Sequence, residues 1–435
     1  MQRNTNRILQ TMAGAAMVIS MIAGAQTPAT TPATTPDAST PSTGTPAATP
    51  AAQAPAAPAA PAAPTWSVGP MDISGMVDVY YSDNFNRPNA QDNGQINDLY
   101  NFNDKTDQFN ISAAKFSLNH DPDPVGAHVD FIYGRTNNFI NAAASNSSSA
   151  DQLNFIEQAF LSLKPIKAKG FELDFGKFVT SAGAEVIESK DNWNYSRSLL
   201  FSYAIPYWHF GVRTSMPVSK VDTIGIQVVN GWNNISKSNG GATIVATNSL
   251  VKPKYTWNVN YIFGPENSLT SNGFRNLIDS TLLLTPNAKF NAYINYDYGQ
   301  NRDGLVTTTG CDLVSKVPST FAARPSATTC TYGDKYLNHW QGIAAAFHEQ
   351  ASTKNAIAGR FEYFNDPQGF ETGNSQHLYE FTGTYEYKWL EGLLMRAEYR
   401  ADFSNEDVFS KNVGQYVKSQ QTLTVAFVAF FGPKR

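Results

Sequence analysis

After Trp66 hydrophobic and polar residues alternate with period two, and no segment holds a 3.6-residue period over a dozen positions. The clearest case runs from Leu393 to Phe403. Leu393, Met395, Ala397, Tyr399, Ala401 and Phe403 share one face, and Leu394, Arg396, Glu398, Arg400 and Asp402 the other. Tyr379, Phe381, Tyr385 and Tyr387 alternate with Glu380, Thr382, Thr384, Glu386 and Lys388. Ile357, Phe361 and Tyr363 alternate with Arg360 and Glu362, and Val129, Phe131 and Tyr133 with His128 and Asp130. Phe290, Ala292, Ile294, Tyr296 and Tyr298 alternate with Asn291, Tyr293, Asn295 and Asp297. The pattern predicts an all-β antiparallel protein.

Two architectures share this alternation. In a soluble sandwich the apolar face is the core; in an outer-membrane barrel it meets lipid and the polar face lines a lumen. Three features favour the barrel. Most segments are nine to twelve residues long, the length a tilted strand needs to cross a bilayer. Aromatics crowd strand ends, as at Tyr80-Tyr81, Tyr207-Trp208, Trp257 and Tyr385-Tyr387-Trp389. Short turns also alternate with long polar loops, as they do when both chain ends lie in the periplasm.

That parity gives a strand count. The expected strands lie at about 71–82, 107–119, 125–135, 154–164, 170–179, 207–217, 221–230, 255–263, 278–285, 289–298, 336–348, 355–364, 377–388, 393–403 and 419–431. Counting from the two ends agrees only if a weaker strand at 241–249 is added. The expectation is therefore a transmembrane barrel of about sixteen strands, a size that leaves an aqueous channel.

Composition narrows the function. Of 435 residues only 16% are charged, against a usual quarter, while 12% are aromatic and the mean hydropathy is −0.33. No apolar run past the N-terminus is long enough for a spanning helix, and no basic run suits nucleic acid. Two cysteines cannot form a disulfide scaffold. Residues 1–25 carry Arg3 and Arg7, then an apolar stretch ending in Ala23-Gly24-Ala25, and read as a signal peptide. Its removal leaves 30 basic against 36 acidic groups, a charge of about −6. Residues 26–68 form a disordered Pro/Ala/Thr-rich periplasmic linker with nothing to bury. In polyproline II, at ~3.1 Å per residue, its Pro-rich part would reach roughly 120 Å, far enough to touch the cell wall through residues 26–64. Residues 69–435 are the barrel, placed in the outer membrane of a Gram-negative-type bacterium.

The stretch 170–266 is the most distinctive. It holds Gly176-Lys177-Phe178, Gly183, Glu185 and Asn192-Trp193-Asn194-Tyr195-Ser196-Arg197-Ser198. Pro206, His209-Phe210-Gly211-Val212-Arg213, Asn230-Gly231-Trp232-Asn233 and Gly264-Pro265-Glu266 follow. This order resembles the OmpL-like Putative beta-barrel porin-2 family over about 69–431. The resemblance implies a porin-like channel for small hydrophilic solutes or ions. Phe430-Phe431 is followed by Gly432-Pro433-Lys434-Arg435, a departure from barrels that end on an aromatic residue.

A channel needs a constriction whose charges filter solutes. The connection 180–206 lacks alternation and carries Glu185, Glu188, Lys190, Asp191 and Arg197, so it is the candidate for a loop folding inward. Opposed by wall residues Arg396, Glu398 and Arg400, these charges would line the narrowest part. The competing reading is an exposed loop with solvated charges, beside wall charges that satisfy one another across the ladder. Cys311 and Cys330 share the loop 299–335 and, in an oxidising periplasm, are expected to form a disulfide. No HExxH pair and no GxSxG elbow occurs, so no enzyme, metal or cofactor is expected. The alternative function is a non-conducting anchor, tether or adhesin that uses the Pro/Ala arm or the surface loops. Association of three barrels as a homo-oligomer stays open.

Overall fold

The computed structural model describes residues 67–68, 70–90, 94–142, 152–237, 239–267, 271, 273–302, 305–306, 331–332 and 337–433. The signal peptide, most of the Pro/Ala arm and the Cys311–Cys330 pair lie outside the described residues.

Sixteen long strands form one closed antiparallel sheet. In chain order they are β1 Met71–Asn84, β2 Gln108–His120, β3 Val125–Tyr133, β4 Ile156–Leu163, β5 Glu172–Val179 and β6 Trp208–Pro217. Next come β7 Asp222–Val229, β8 Thr243–Lys252, β9 Tyr255–Gly264, β10 Arg275–Leu284 and β11 Phe290–Arg302. The last five are β12 Leu337–Glu349, β13 Asn355–Asp366, β14 Gln376–Leu390, β15 Leu393–Ser404 and β16 Ser419–Phe431. Each pairs with the next, and β16 pairs with β1 from Phe431↔Gly75 to Thr422↔Asn84, which closes the ring. Closure leaves none of these sixteen strands at an edge of the sheet, as lipid demands. The weak strand inferred from parity is β8, shifted a few residues towards the C-terminus.

The side-chain distribution is that of a soluble protein turned inside out. On β15 Arg396, Glu398, Arg400 and Asp402 are all buried, while Tyr399 and Phe403 are 45% and 39% exposed. Phe381, Ile226, Val228, Ile244 and Leu423 repeat the exposed apolar face on other strands. A sandwich core is thereby excluded, because the apolar face is the outer one.

Glycine is required where strands approach or reverse closely. Gly176 in β5 has φ +146°, and a Cβ there would lie 2.1 Å from the Ala159 carbonyl oxygen. Gly392, with φ +80°, makes the tight turn between β14 and β15.

Two of the long polar connections bury apolar side chains. The Asn-rich stretch after β3 opens with a helix, α1 Arg135–Ala142. Phe139 and Ile140 are buried, and the Ile140 carbonyl accepts the Trp208 indole N–H at 2.7 Å. The Asn/Asp-rich loop after β1 turns into the barrel, with Ile96, Leu99, Tyr100 and Phe102 buried.

Candidate functional site

The segment 180–207 joins β5 to β6 and contains only single turns of 3-10 helix, Ser189–Asp191, and π-helix, Leu200–Ala204. A buried chain without regular structure must find partners for its backbone N–H and C=O groups elsewhere. Here the barrel wall supplies them. Wall acceptors take the N–H groups: Asp279 from Gly183 at 3.0 Å, Asn295 from Ala184 at 3.0 Å, and Glu398 from Tyr195 and Ser196 at 2.5 and 2.9 Å. Glu362 takes those of Leu199 and Leu200 at 2.7 and 3.3 Å. Wall donors cover the carbonyls. Arg360 donates to Ser196 at 2.8 Å, Arg396 to Asn192 at 2.7 Å, Arg400 to Arg197 at 2.7 Å and Trp340 to Ala204 at 3.1 Å. The contacts come from β10 to β13 and from β15, so the segment crosses the lumen.

Side chains reinforce the seat. Asp78 on β1 accepts from Ser189 Oγ at 2.6 Å and from the Tyr195 hydroxyl at 2.8 Å. Glu185 pairs with Arg360 at 2.6 Å and receives the Tyr293 hydroxyl at 3.3 Å. Glu188 joins Lys115, whose ammonium also holds Asp130 at 2.9 Å and Glu157 at 2.7 Å. The oxygens of these three acids lie within 4.8 Å of one another, a spacing that suits a cation, and the Lys115 ammonium already stands among them. Arg197 is buried and donates to the Tyr195 carbonyl at 2.7 Å, its guanidinium 4.8 Å from the centre of the Phe102 ring. Burial pushes its pKa down. Arg396 pairs with Glu386 at 2.7 Å, and Arg400 with Asp402 at 2.7 Å.

The structure therefore gathers Glu185, Glu188, Arg197, Arg396, Glu398 and Arg400 at one loop–wall interface, where each is bonded to protein. Lys190 and Asp191 stand apart. They pair at 2.6 Å with side chains 30% and 51% exposed, and are the charges of this loop most open to solvent. Sequence reasoning missed Asp78, Lys115, Asp279, Arg360 and Glu362 as site residues. The available signal was a charge on the polar face of an alternating strand, as Arg360 and Glu362 display.

The lumen is extensively filled. Every strand carries at least one buried inward side chain, among them Asp78 on β1, Thr243 on β8, Asn258 on β9, Glu380 on β14 and Thr422 on β16. The loop after β1 packs against the inward segment through Phe102, whose ring lies 5.8 Å from Phe201 and 5.6 Å from Tyr207.

A closed sixteen-stranded barrel, apolar outside and charged within, with a long connection folded across its lumen, defines an outer-membrane protein of the porin type. The chain belongs to the family described as Putative beta-barrel porin-2, OmpL-like, whose model matches residues 70–431. No curated protein matches the sequence. Among solved structures, the anion-selective porin from Comamonas acidovorans is similar in fold at 9% identity and a TM-score of 0.50, covering 83% of this chain and 99% of that one. A Salmonella typhi OmpF complex with daunomycin matches at 13% identity and a TM-score of 0.49, covering 83% of this chain and 97% of that one. OmpT of Vibrio cholerae matches at 11% identity and a TM-score of 0.48, with 83% and 97% covered. At these identities the likeness concerns the fold alone.

Proposed function

We propose that the protein is an outer-membrane channel for passive diffusion of small hydrophilic solutes or ions, in which segment 180–207 forms the constriction. The observation that carries this reading is the seating of that segment on the polar inner wall, with Lys190 and Asp191 left open to solvent. A constriction selects by the charges that a passing solute meets. Glu185, Glu188, Arg197, Arg396, Glu398 and Arg400 fix the shape of the opening, whereas Lys190 and Asp191 set its charge. The proposal contains no catalytic step and no cofactor.

Planar-bilayer conductance of the folded protein lacking residues 1–25 tests it. Discrete steps are expected, with a reversal potential in a salt gradient that moves when Asp191 is replaced by Asn. Inserted, folded barrels that never conduct would overturn it. The filled lumen gives the anchor reading its own support, and deleting residues 26–64 separates the two. A pore keeps conducting, while a tether loses its attachment to the cell wall.

A further inference from the structure

The inner face of β2, β3 and β4 meets the inward segment in a cluster whose charges do not balance. Lys115 holds Asp130 at 2.9 Å, Glu157 at 2.7 Å and Glu188 of the segment. One ammonium thus faces three carboxylates, whose oxygens lie within 4.8 Å of one another. The side chains of Asp130 and Glu157 are 1% and 0% exposed, yet Asp130 Oδ1 and Glu157 Oε1 meet no hydrogen-bond donor among the described residues. The next lysine, Lys177, is turned to the Ile156 carbonyl at 2.6 Å and to Asn141 Oδ1 at 2.8 Å. His128 stands beside the cluster in an orientation that its neighbours fix. The Asn119 amide nitrogen donates to Asp121 Oδ1 at 2.7 Å, so the Asn119 side-chain carbonyl faces His128 Nδ1 at 2.9 Å and Nδ1 carries the proton. In the neutral ring Nε2 then presents a lone pair to Asp130 Oδ2 at 2.9 Å. That oxygen already accepts from Lys115 and, at 2.8 Å, from Gln158.

Two acceptors this close are held together only by a positive charge between them, either a second proton on the ring or a metal ion. A proton would serve Asp130 and leave Glu157 Oε1 without a partner. A divalent cation serves both, and its charge matches the two negative charges that Lys115 leaves over. We propose that His128 Nε2, Asp130 and Glu157 of the wall, with Glu188 of the inward segment, form a binding site for a divalent cation of the zinc class. An imidazole nitrogen among carboxylate oxygens is a ligand set for zinc, whereas calcium and magnesium take oxygens. Two ligands at ~2.1 Å from one zinc ion stand about 3.0–3.4 Å apart, so the 2.9 Å pair of His128 and Asp130 has to open only slightly. The side chains of His128 and Glu188, 21% and 16% exposed, leave a way in from the lumen. Lys115 repels the ion and limits its affinity. Because Glu188 belongs to the segment and the other ligands to the wall, the ion ties one to the other. The site rests on the channel reading only for its effect on the constriction.

The test titrates zinc chloride into the full-length, untagged protein in detergent, with Cys311→Ser and Cys330→Ser removing the thiols. At about pH 7.5 an ordinary imidazole is neutral and free to bind. Calorimetry is expected to show one saturable site per chain, with calcium at least about tenfold weaker. His128→Phe keeps a ring stacked on Phe160 but removes the nitrogens. It and Glu157→Gln should each weaken zinc at least about tenfold, since even groups behind metal ligands cost that much. Lys115→Met should bind zinc more tightly than the wild type. Heat-modifiability on gels shows that each variant is folded, so that lost binding is not lost structure. Zinc should also slow proteolysis within 180–207, and Glu188→Gln should remove that protection. No saturable binding, unchanged affinity in His128→Phe and Glu157→Gln, or calcium bound as tightly as zinc overturns the site. Zinc binding of this pattern in a barrel that never conducts leaves the site standing and removes the channel reading; conductance without zinc binding does the reverse.

Discussion

Glu185 of the inward segment and Arg360 of β13 meet at 2.6 Å across 175 positions of sequence, with Arg360 also reaching Glu380 at 3.1 Å and Glu362 at 3.6 Å. One guanidinium thus serves three buried carboxyl groups and the Ser196 carbonyl. Removing it strands several buried acids at once. Arg360→Met is expected to cost about 3–5 kcal/mol, the usual penalty for breaking a buried pair from one side. Urea unfolding in detergent, followed by heat-modifiability on gels, would measure it. Adding Glu185→Gln should recover part of the loss, because one of the stranded charges is then gone.

Glu398 holds two backbone groups, and its replacements should grade accordingly. Glu398→Gln retains one acceptor oxygen for Tyr195 and Ser196, whereas Glu398→Ala leaves both N–H groups buried without a partner. At about 1–3 kcal/mol for each orphaned group, the alanine variant should loosen the middle of the segment while the barrel remains folded. Limited proteolysis of the folded protein should cut within 180–207 in Glu398→Ala before it does so in Glu398→Gln.

The strands are legible in the sequence because lipid and water reward opposite side chains on the two faces of one strand. β15 illustrates this, with Arg396, Glu398 and Arg400 inside and Tyr399 and Phe403 outside. β8 nearly escapes, since its sequence Thr-Ile-Val-Ala-Thr-Asn-Ser-Leu-Val-Lys puts Asn248 beside the outward Ile224. Only the parity of turns and loops demands it. Helix α1 is hidden in an asparagine-rich run, whose residues are weak helix formers outside their tertiary setting. The inward segment is legible as an absence of alternation. Its partners are not, because Gly183 meets Asp279 and Tyr195 meets Asp78 only once the barrel has closed.

The inside-out distribution makes a directional prediction. Phe381 is half exposed on the outer face of β14, next to the inward Glu380 and Thr382. Phe381→Arg should destabilise the folded barrel by about 2–4 kcal/mol if the position lies near the bilayer midplane. Thr384→Ser, on the inner face of the same strand, keeps its hydroxyl for Glu398 and Asn194 and should cost far less. Equal losses in detergent refolding titrations would contradict an outer face in contact with lipid.

Acid should release the segment at Glu188. Burial alone would raise the pKa of this carboxyl, but the Lys115 ammonium against it prevails and holds it below its ordinary value of 4.5. A carboxyl whose pKa is lower in the folded than in the unfolded state adds stability that is fully present above the unfolded value and is lost as pH falls through the folded one. The contact therefore persists at neutral pH and disappears only in acid more extreme than an unpaired glutamate would need. Glu188→Gln should abolish this part of the acid dependence and leave the segment looser at neutral pH, where the wild-type contact is intact. Unfolding midpoints in urea at about pH 7 and about pH 3 measure both effects. The gap between wild type and Glu188→Gln should narrow towards acid, and a gap that widens there would mean that the carboxylate does not hold the segment through Lys115.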